Sequence, residues 1–381
     1  MVSLVLLLVS IAPADSLNVR FVGSCDTPGY AYGVAVSGGY AHLAVGSAGL
    51  RVISVIDPTH PVEVGYCDTS GYAWGVAVYA DYAYVADDSG FRVISLADPE
   101  SPVQVGCCNT PGIAYGVAVA GNHAYVAADN AGLRVISVAD PAHPEEVGYC
   151  DTPGSGLGLA VNGDYAYVAD DSFGLRVISI ADPTRPIEVG WCDTPGRAYG
   201  VGLIGDCVCV ADLDSGLRVI SVADPAHPVE VGSCAMPGYA WSVALSGSYA
   251  CVADGHSGLR VISVADPAHP AEVGYHDSPD EACGVAVIGD YIYVADFSGG
   301  LQIYQFYGAG VAESPKPQAL SRKPTATILS GASGVRRLAS CVVFDAMGRR
   351  VLNPRSGILF VRQASSVMRG ASSVTKVVIQ R

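Results

Sequence analysis

The feature that most constrains the fold of this chain is a hexapeptide that returns at a fixed interval. The seven copies are GLRVIS at Gly49, Gly132, Gly174, Gly216 and Gly258, GFRVIS at Gly90, and a weaker GLQIYQ at Gly300. Successive copies lie 41 or 42 residues apart. Seven units with a period in this range are typical of a propeller or a solenoid.

Each unit contains four short segments with strand character. In the unit around Gly132 they cover residues 116–121, 123–128, 133–138 and 145–150. They are β-branched or alternating, and they are bounded by Gly, Asn, Asp or Pro. Four strands in about 42 residues make one propeller blade. The sequence therefore predicts an all-β fold, a seven-bladed β-propeller of 42-residue four-strand repeats, with an open β-solenoid as the alternative.

The pattern within LRVISV explains why a single unit is not enough. Leu133 and Val135 face one side of the strand, whereas Ile136 and Val138 face the other. Both faces are apolar, so each sheet must be covered by a neighbour on both sides. Repetition supplies those neighbours.

The two ends of the repeat region are complementary partial units. Residues 18–25, NVRFVGSC, match the fourth strand of a unit, whereas the last unit stops after its third strand, residues 300–306. We expect the N-terminal strand to complete the seventh blade and close the ring, because this leaves no blade edge open. A solenoid would not need such complementary ends.

At GLRVISVADP the chain resembles the LVIVD-repeat family of bacterial surface propellers. The positions that match its pattern are Leu133, Val135, Ile136, Val138 and Asp140, followed by Pro141 and Pro144. Ser137 departs from it, because such repeats often carry Asp there. The resemblance implies a propeller and a location at the cell surface, and it implies no reaction.

The sequence outside the repeats predicts export. Residues 1–14 combine an apolar run with Ala12-Pro13-Ala14, which is typical of a signal peptide, although a basic n-region is missing and a buried N-terminal strand is the alternative. Near the C-terminus, VVFDAMGRRV, GILFVR and KVVIQR resemble the sorting domain of the type IX secretion system, with Leu359 where an aromatic residue is more usual.

These observations predict a domain order and a location. We expect a signal peptide (1–14), a propeller (18–306), a polar linker (307–324) and a small β-sandwich-like sorting domain (325–381). The resemblance implies that the secretion machinery recognises the last domain. The protein is then secreted or held at the cell surface after passage through the periplasm.

Charge is divided unevenly along the chain. Residues 17–306 contain 33 acidic residues against nine Arg and no Lys, a net charge of -24, and the region from Tyr307 onward has a net charge of +10. Nucleic-acid binding depends on Lys and Arg that neutralise phosphates, so an acidic propeller argues against it. No segment after the N-terminal run is long and apolar enough to be a membrane helix.

Two groups of recurring polar residues have structural interpretations. Six units end their fourth strand with Cys (Cys25, Cys67, Cys108, Cys150, Cys192 and Cys234), and equivalent positions on neighbouring blades are too far apart for disulfides, so we expect buried thiols. The acids after the second strand, such as Asp170 and Asp171, suit hairpin turns. Calcium at Asp212 and Asp214 is the alternative use of such acids, although no unit has a full ligand series.

The candidate ligand-binding residues follow the CDTPG stretch that joins one blade to the next. They are Tyr30, Tyr32, Tyr72, Trp74, Tyr115, Arg197, Tyr199, Tyr239 and Trp241, and Glu281 and Cys283 occupy the same places in the last unit. We expect them on the same face as the acidic turns, where they could hold a carbohydrate or a peptide. The alternative is that each aromatic ring fills space between blades.

No catalytic constellation stands apart from the repeat. The sequence therefore favours a non-catalytic binding or interaction module without a cofactor. The alternative is a hydrolase or lyase that acts on extracellular polysaccharide through two carboxylates from the acidic turns.

Overall fold

A computed structural model of the chain describes residues 16–308, together with the backbone of residues 327–330, 341–344, 357–363 and 374–380. All regular secondary structure in these residues is β-strand. No helix in this part of the chain has the length and apolar character needed to cross a membrane.

The strands are numbered in chain order. Two N-terminal strands are β1 (Ser16–Leu17) and β2 (Val19–Cys25). Blade 1 contains β3 (Gly33–Ser37), β4 (Tyr40–Ala44), β5 (Leu50–Ser54) and β6 (Val62–Cys67). Blade 2 contains β7 (Ala73–Tyr79), β8 (Tyr82–Asp87), β9 (Gly90–Ser95) and β10 (Val103–Cys108). Blade 3 contains β11 (Gly116–Ala120), β12 (His123–Ala127), β13 (Leu133–Ser137) and β14 (Glu145–Cys150).

The remaining blades follow the same order. Blade 4 contains β15 (Leu159–Asn162), β16 (Tyr165–Ala169), β17 (Leu175–Ser179) and β18 (Ile187–Cys192). Blade 5 contains β19 (Gly200–Ile204), β20 (Cys207–Ala211), β21 (Leu217–Ser221) and β22 (Val229–Cys234). Blade 6 contains β23 (Ser242–Ser246), β24 (Tyr249–Ala253), β25 (Leu259–Ser263) and β26 (Ala271–His276). Blade 7 begins with β27 (Gly284–Ile288), β28 (Tyr291–Ala295) and β29 (Leu301–Phe306).

Each blade is an antiparallel sheet whose strands lie side by side in chain order, except that the outer strand of blade 7 is β2. The first strand is innermost, and the inner strands of neighbouring blades pack against one another. This packing includes β27 against β3, so the last blade meets the first. The seven-bladed propeller is confirmed, and the open solenoid is excluded.

The N-terminal strand closes the ring as predicted. β2 pairs antiparallel with β29, with Val19 opposite Phe306 and Cys25 opposite Leu301. Before it, Asn18 has a φ of 54° and its amide donates a hydrogen bond of 2.7 Å to the carbonyl of Val273. The sequence did not predict β1, which pairs with β26 and forms a fifth strand on blade 6.

Seven apolar clusters lie between the blades, one at each interface. Leu133 and Val135 pack into the cluster between blades 3 and 4. Ile136 and Val138 pack into the cluster between blades 2 and 3. The two-faced interpretation of LRVISV is therefore confirmed.

Glycines allow the blades to approach closely at their inner and outer strands. A Cβ on Gly75 of β7 would lie 2.3 Å from the carbonyl oxygen of Tyr115, in the segment that enters blade 3. A Cβ on Gly106 of β10 would lie 2.2 Å from the carbonyl oxygen of Pro141. Neither distance is possible for a real side chain, so both of these residues must be glycine, although the position of Gly75 is held by Ser242 in blade 6.

The cysteines at the ends of the fourth strands are free, as predicted, but half-buried rather than buried. Partial burial raises the pKa of each of these thiols, which keeps them protonated. They pack against the edges of the apolar clusters between blades. The contacts that the structure describes for these cysteines are therefore packing contacts.

The C-terminal region is a second compact unit, residues 314–381. Its described strands are β30 (Thr327–Ser330), β31 (Cys341–Phe344), β32 (Gly357–Gln363) and β33 (Val374–Gln380), in the sheet order β30-β33-β32-β31. The pair β30–β33 is parallel, and the other two pairs are antiparallel. The predicted signal peptide, most of the linker and the rest of the sorting domain lie outside the described residues, so these assignments stay predictions.

Candidate functional site

The site is formed by the segments that cross from one blade to the next. Each crossing bonds to the turn between the second and third strands of the preceding blade. Ala73 donates a backbone hydrogen bond of 2.9 Å to Gly46, and Gly46 returns one of 3.1 Å. The same bridge joins Asp171 to Ala198 and Leu213 to Ala240. The crossings and the acidic turns therefore lie on one face, as the sequence predicted.

In five blades a buried Asp at the start of this turn anchors the crossing that enters its own blade. Asp212 is fully buried, and it accepts hydrogen bonds from the Thr194 hydroxyl at 2.6 Å and the Gly196 amide at 2.9 Å. The amide bond recurs at Asp87, Asp170, Asp254 and Asp296, which are equally buried. These acids do begin turns, but their side chains hold the crossings. The turn interpretation alone is therefore incomplete.

This arrangement leaves Asp212 little capacity for calcium. Its carboxylate is engaged by protein donors and lies 3.6 Å from Arg218, whereas Asp214 is exposed. Burial raises the pKa of Asp212, and its hydrogen bonds and Arg218 act against this. Among the residues that the structure describes, no group of three or more His, Cys, Asp or Glu side chains is placed to hold a metal ion.

One residue at or just before the start of each inner strand lines a cavity at the propeller axis. In blade order these residues are Tyr32, Trp74, Tyr115, Leu157, Tyr199, Trp241 and Cys283, and with Phe297 they form what we call the aromatic mouth. They line a cavity of about 480 Å³ whose wall continues into the first residues of the inner strands, such as Val34 and Val76. Five of the nine predicted site residues meet here.

The other four predicted residues surround the mouth without lining the cavity. Tyr30 stacks on Phe297 with a centroid distance of 4.0 Å, and the Tyr72 hydroxyl lies 3.1 Å from that of Tyr32. Arg197 donates a hydrogen bond of 2.5 Å to Asp171. Tyr239 is 52% exposed and lies outside the cavity lining.

The rings of the mouth also pack against one another across blade boundaries. Trp74 lies 4.7 Å from Tyr32 and 5.4 Å from Tyr115, between centroids. On the opposite side, Trp241 meets Tyr199 edge-on at 4.6 Å. The two interpretations of these aromatics are therefore compatible, because the same rings contact neighbouring blades and line the cavity.

Both indoles of the mouth are held by carboxylates. The Trp74 N–H donates to Asp88 at 2.7 Å, and the Trp241 N–H donates to Glu281 at 3.0 Å. These bonds fix the orientation of each ring and use its only polar donor. The carboxylates in turn place negative charge at the rim of the cavity.

Burial and nearby carboxylates raise the pKa values of two tyrosine hydroxyls in the mouth. Burial raises the pKa of Tyr199, the carboxylates of Asp171 and Asp129 raise it further, and Arg197 acts against them. Burial also raises the pKa of Tyr115, with smaller contributions in the same direction from Asp129 and Asp88. The mouth is an apolar cavity with an acidic rim.

Phe297 is the one aromatic of the mouth that the sequence did not predict. It lies in the turn of blade 7 with a φ of 43°, where other units have Gly, Asp or Leu. The predicted site residues all lie in the crossings, whereas this ring reaches the cavity from a turn. An aromatic residue at a turn position that favours Gly or Asp was the available signal.

Comparison with known proteins agrees with a seven-bladed repeat propeller. The LVIVD repeat model matches residues 28–69, 70–110, 111–152, 153–194, 195–236, 237–278 and 279–304. The chain therefore belongs to the LVIVD repeat family. No curated protein matches it.

Similar solved structures support the fold alone, because their sequences are distant. The WD40 repeats of RRP9 align with a TM-score of 0.63 at 12% identity, over 76% of this chain and 97% of that one. U3-55K aligns with a TM-score of 0.61 at 11% identity, over 75% and 98%. The computationally designed Ika8 protein aligns with a TM-score of 0.57 at 6% identity, over 75% and 99%.

Proposed function

We propose that this protein is an exported, non-catalytic binding module whose ligand, a carbohydrate or a peptide, enters the aromatic mouth. The observation that carries the proposal is the convergence of five predicted aromatics on one cavity of about 480 Å³. Ligand sites are concave, largely apolar and supplied with a few polar groups, and this cavity fits that description.

The carboxylates near the mouth support a non-catalytic role. A glycosidase needs two carboxyl groups about 5 to 10 Å apart that flank one bond. Among the residues that line this cavity, Glu281 is the only acid, and it accepts the Trp241 indole. Asp88 and Asp171 are likewise engaged, by Trp74 and Arg197. The hydrolase or lyase alternative would need these pairs to separate.

Binding is tested with a glycan and peptide array, followed by titration of the ligand that the array identifies. We expect Trp74→Ala and Trp241→Ala to abolish binding, because each removes a wall of the mouth. Trp191→Ala is the matched control, because that indole is 57% exposed on the outer strand of blade 4. Unchanged affinity in both mouth variants would contradict the proposal.

Melting temperatures of the same variants separate binding from packing. Removing a buried aromatic side chain costs about 3 to 5 kcal/mol when it leaves a cavity in a core. Trp74 and Trp241 are half-buried at an open mouth, so we expect a smaller loss. A full core-sized loss in both would assign these rings to packing alone.

Export and sorting are supported by the apolar N-terminal run and by the three C-terminal motifs. We expect a chain that ends at Gly308 to remain in the periplasm of a host with a type IX secretion system, because it keeps every propeller strand and lacks the proposed sorting domain. Cell fractionation beside the full-length chain measures this. Surface display of the shortened chain would refute the sorting assignment.

A further inference from the structure

We infer that the ligand of the aromatic mouth carries an organic cation on an apolar stem. This inference rests on the proposed function and narrows it: the stem occupies the cavity, and the cation lies at the rim between aromatic rings and carboxylates. The shared chemistry is that of an alkylammonium or guanidinium group. It could come from a free amine or from a Lys or Arg side chain.

The wall of the cavity favours an apolar stem. Below the mouth it is formed by Val34, Val76, Val117, Leu159, Val201 and Val285, interspersed with glycines. Ser242 adds one small hydroxyl at this level. An alkyl chain matches such a wall, whereas a sugar ring would leave most of its hydroxyls without partners there.

Three donors of the mouth are already hydrogen-bonded, which leaves only the hydroxyls of Tyr115, Tyr199 and Ser242. Both indole N–H groups donate to carboxylates, and the Tyr32 hydroxyl is hydrogen-bonded to Tyr72. An anionic ligand would need donors, and a sugar would need donors and acceptors together. A cation needs only acceptors and ring faces, which the mouth provides.

The rim combines the two features that attract organic cations. Aromatic rings attract a cation through the negative potential of their faces, most strongly when the cation is partly desolvated. Asp88 and Glu281 lie beside these rings, and Asp129, whose backbone pairs with Gly156 next to Leu157 of the mouth, acts on the hydroxyls of Tyr115 and Tyr199. The net charge of -24 over residues 17–306 adds a long-range attraction.

The rim already holds one organic cation of the chain itself. The guanidinium of Arg197 bonds to Asp171 at 2.5 Å, close enough to Tyr199 to affect the pKa of its hydroxyl. Arg197 occupies a position that is Tyr, Ile, Ser or Glu in the other units, so the repeat does not explain it. This contact shows that a guanidinium is accommodated beside a carboxylate of this rim.

Calorimetric titration of the full chain tests the inference with defined probes. The probes are hexylamine, hexyltrimethylammonium, N-acetyl-lysine amide, neutral hexanol and a neutral oligosaccharide. We expect the cations to bind at least about tenfold more tightly than hexanol, and this ratio to shrink at high salt because the charges are screened. Preference for hexylamine or for N-acetyl-lysine amide distinguishes a free amine from a side chain.

One variant and its matched control locate the bound cation. Asp129→Asn should weaken cation binding about fivefold or more while leaving hexanol unaffected, because it removes a rim charge that holds neither an indole nor Arg197. Asn also tolerates the left-handed backbone that Asp129 adopts, with a φ of 47°. Glu100→Gln is the matched control, because this exposed acid lies in the turn between the third and fourth strands, away from the mouth.

The outcomes separate this inference from the proposed function. Tighter binding of hexanol or the oligosaccharide than of every cation, with loss in Trp74→Ala, would overturn the cation assignment and leave a binding module. Cation binding that is equal in Asp129→Asn and Glu100→Gln would overturn the placement at the rim. Absence of binding to all probes and to the array would overturn both proposals.

Discussion

The aspartates at the ends of the second strands are all fully buried, but they differ in whether an arginine lies beside the carboxylate. In blade 2, Arg92 lies 2.9 Å from Asp87. In blade 7 the arginine position is occupied by Gln302, and no arginine opposes Asp296. Burial raises the pKa of Asp296 to about 6, and one of its oxygens has no hydrogen-bond partner.

Asp296→Asn should change how stability depends on pH. The folded protein keeps the Asp296 proton up to about pH 6, whereas the unfolded chain releases it near pH 4, so wild-type stability falls as pH rises between these values. Ionised Asp296 destabilises the fold by up to about 3 kcal/mol above pH 7. Relative to wild type, the variant should gain in unfolding free energy from pH 4 to pH 8, as measured by denaturant titration.

Asp87→Asn is the control at the same repeat position. It leaves the buried guanidinium of Arg92 without its charged partner, which costs about 3 to 5 kcal/mol. We expect this variant to be less stable than wild type at both pH 4 and pH 8. A parallel pH profile for Asp296→Asn and wild type would show that Asp296 is not protonated in the folded protein.

At this scale the sequence predicted where aromatic residues cluster, but not which of them face the cavity. Tyr30 and Tyr32 are two residues apart, a spacing that puts both on one face of a strand. The crossing is not a continuous strand, because Ala31 makes only an isolated bridge to Phe297 of the preceding blade. The period-two rule therefore does not apply, and only Tyr32 lines the cavity.

Among the elements, the N-terminal segment contributes to two blades, because β1 pairs with blade 6 and β2 with blade 7. β2 supplies the missing outer strand of blade 7, and Val19 is buried in the cluster between blades 6 and 7. In blade 6, the turn between the third and fourth strands packs against the outer strand of the preceding blade. Blade 7 has no such turn, and β1 takes its place against β26. A Cβ on Gly274 would meet the Leu17 carbonyl oxygen at 2.9 Å, whereas the equivalent Gly232 faces the carbonyl oxygen of Pro267.

Deletion of residues 16–25 should therefore lower the melting temperature sharply, because it opens the edge of β29 and uncovers part of an apolar cluster. A chain that starts at Ser16 is the control and should melt like the full chain. Thermal unfolding followed by circular dichroism measures both. An unchanged melting temperature after the deletion would mean that the strand pairing contributes nothing to stability.

The sequence predicted the strands most successfully, because each strand of the blade recurs up to seven times in the chain. Random differences between copies cancel, and alternation, turns and breakers remain visible. β1 could not be predicted in this way, since it is two residues long and occurs once. Its position depends on the missing turn between the third and fourth strands of blade 7, and no local sequence pattern indicates that dependence.

For the whole molecule, the repeat dictates a symmetric scaffold, and the departures from the repeat point to the site. The strand sequences are nearly identical from blade to blade, whereas the crossing positions hold Tyr, Trp, Leu, Cys, Arg or Glu. The sequence could therefore predict the face that carries the mouth. It could not predict the cavity itself, because that depends on how closely seven inner strands approach.

The pairing of Val19 with Phe306 places the start and the finish of the propeller side by side. The two ends of the propeller segment therefore meet within a single blade, blade 7. A short linker between these two ends would let new termini be opened in another turn, such as the one at Gly121, as in a circular permutation. Which blade is first is then a property of the gene and not of the ring.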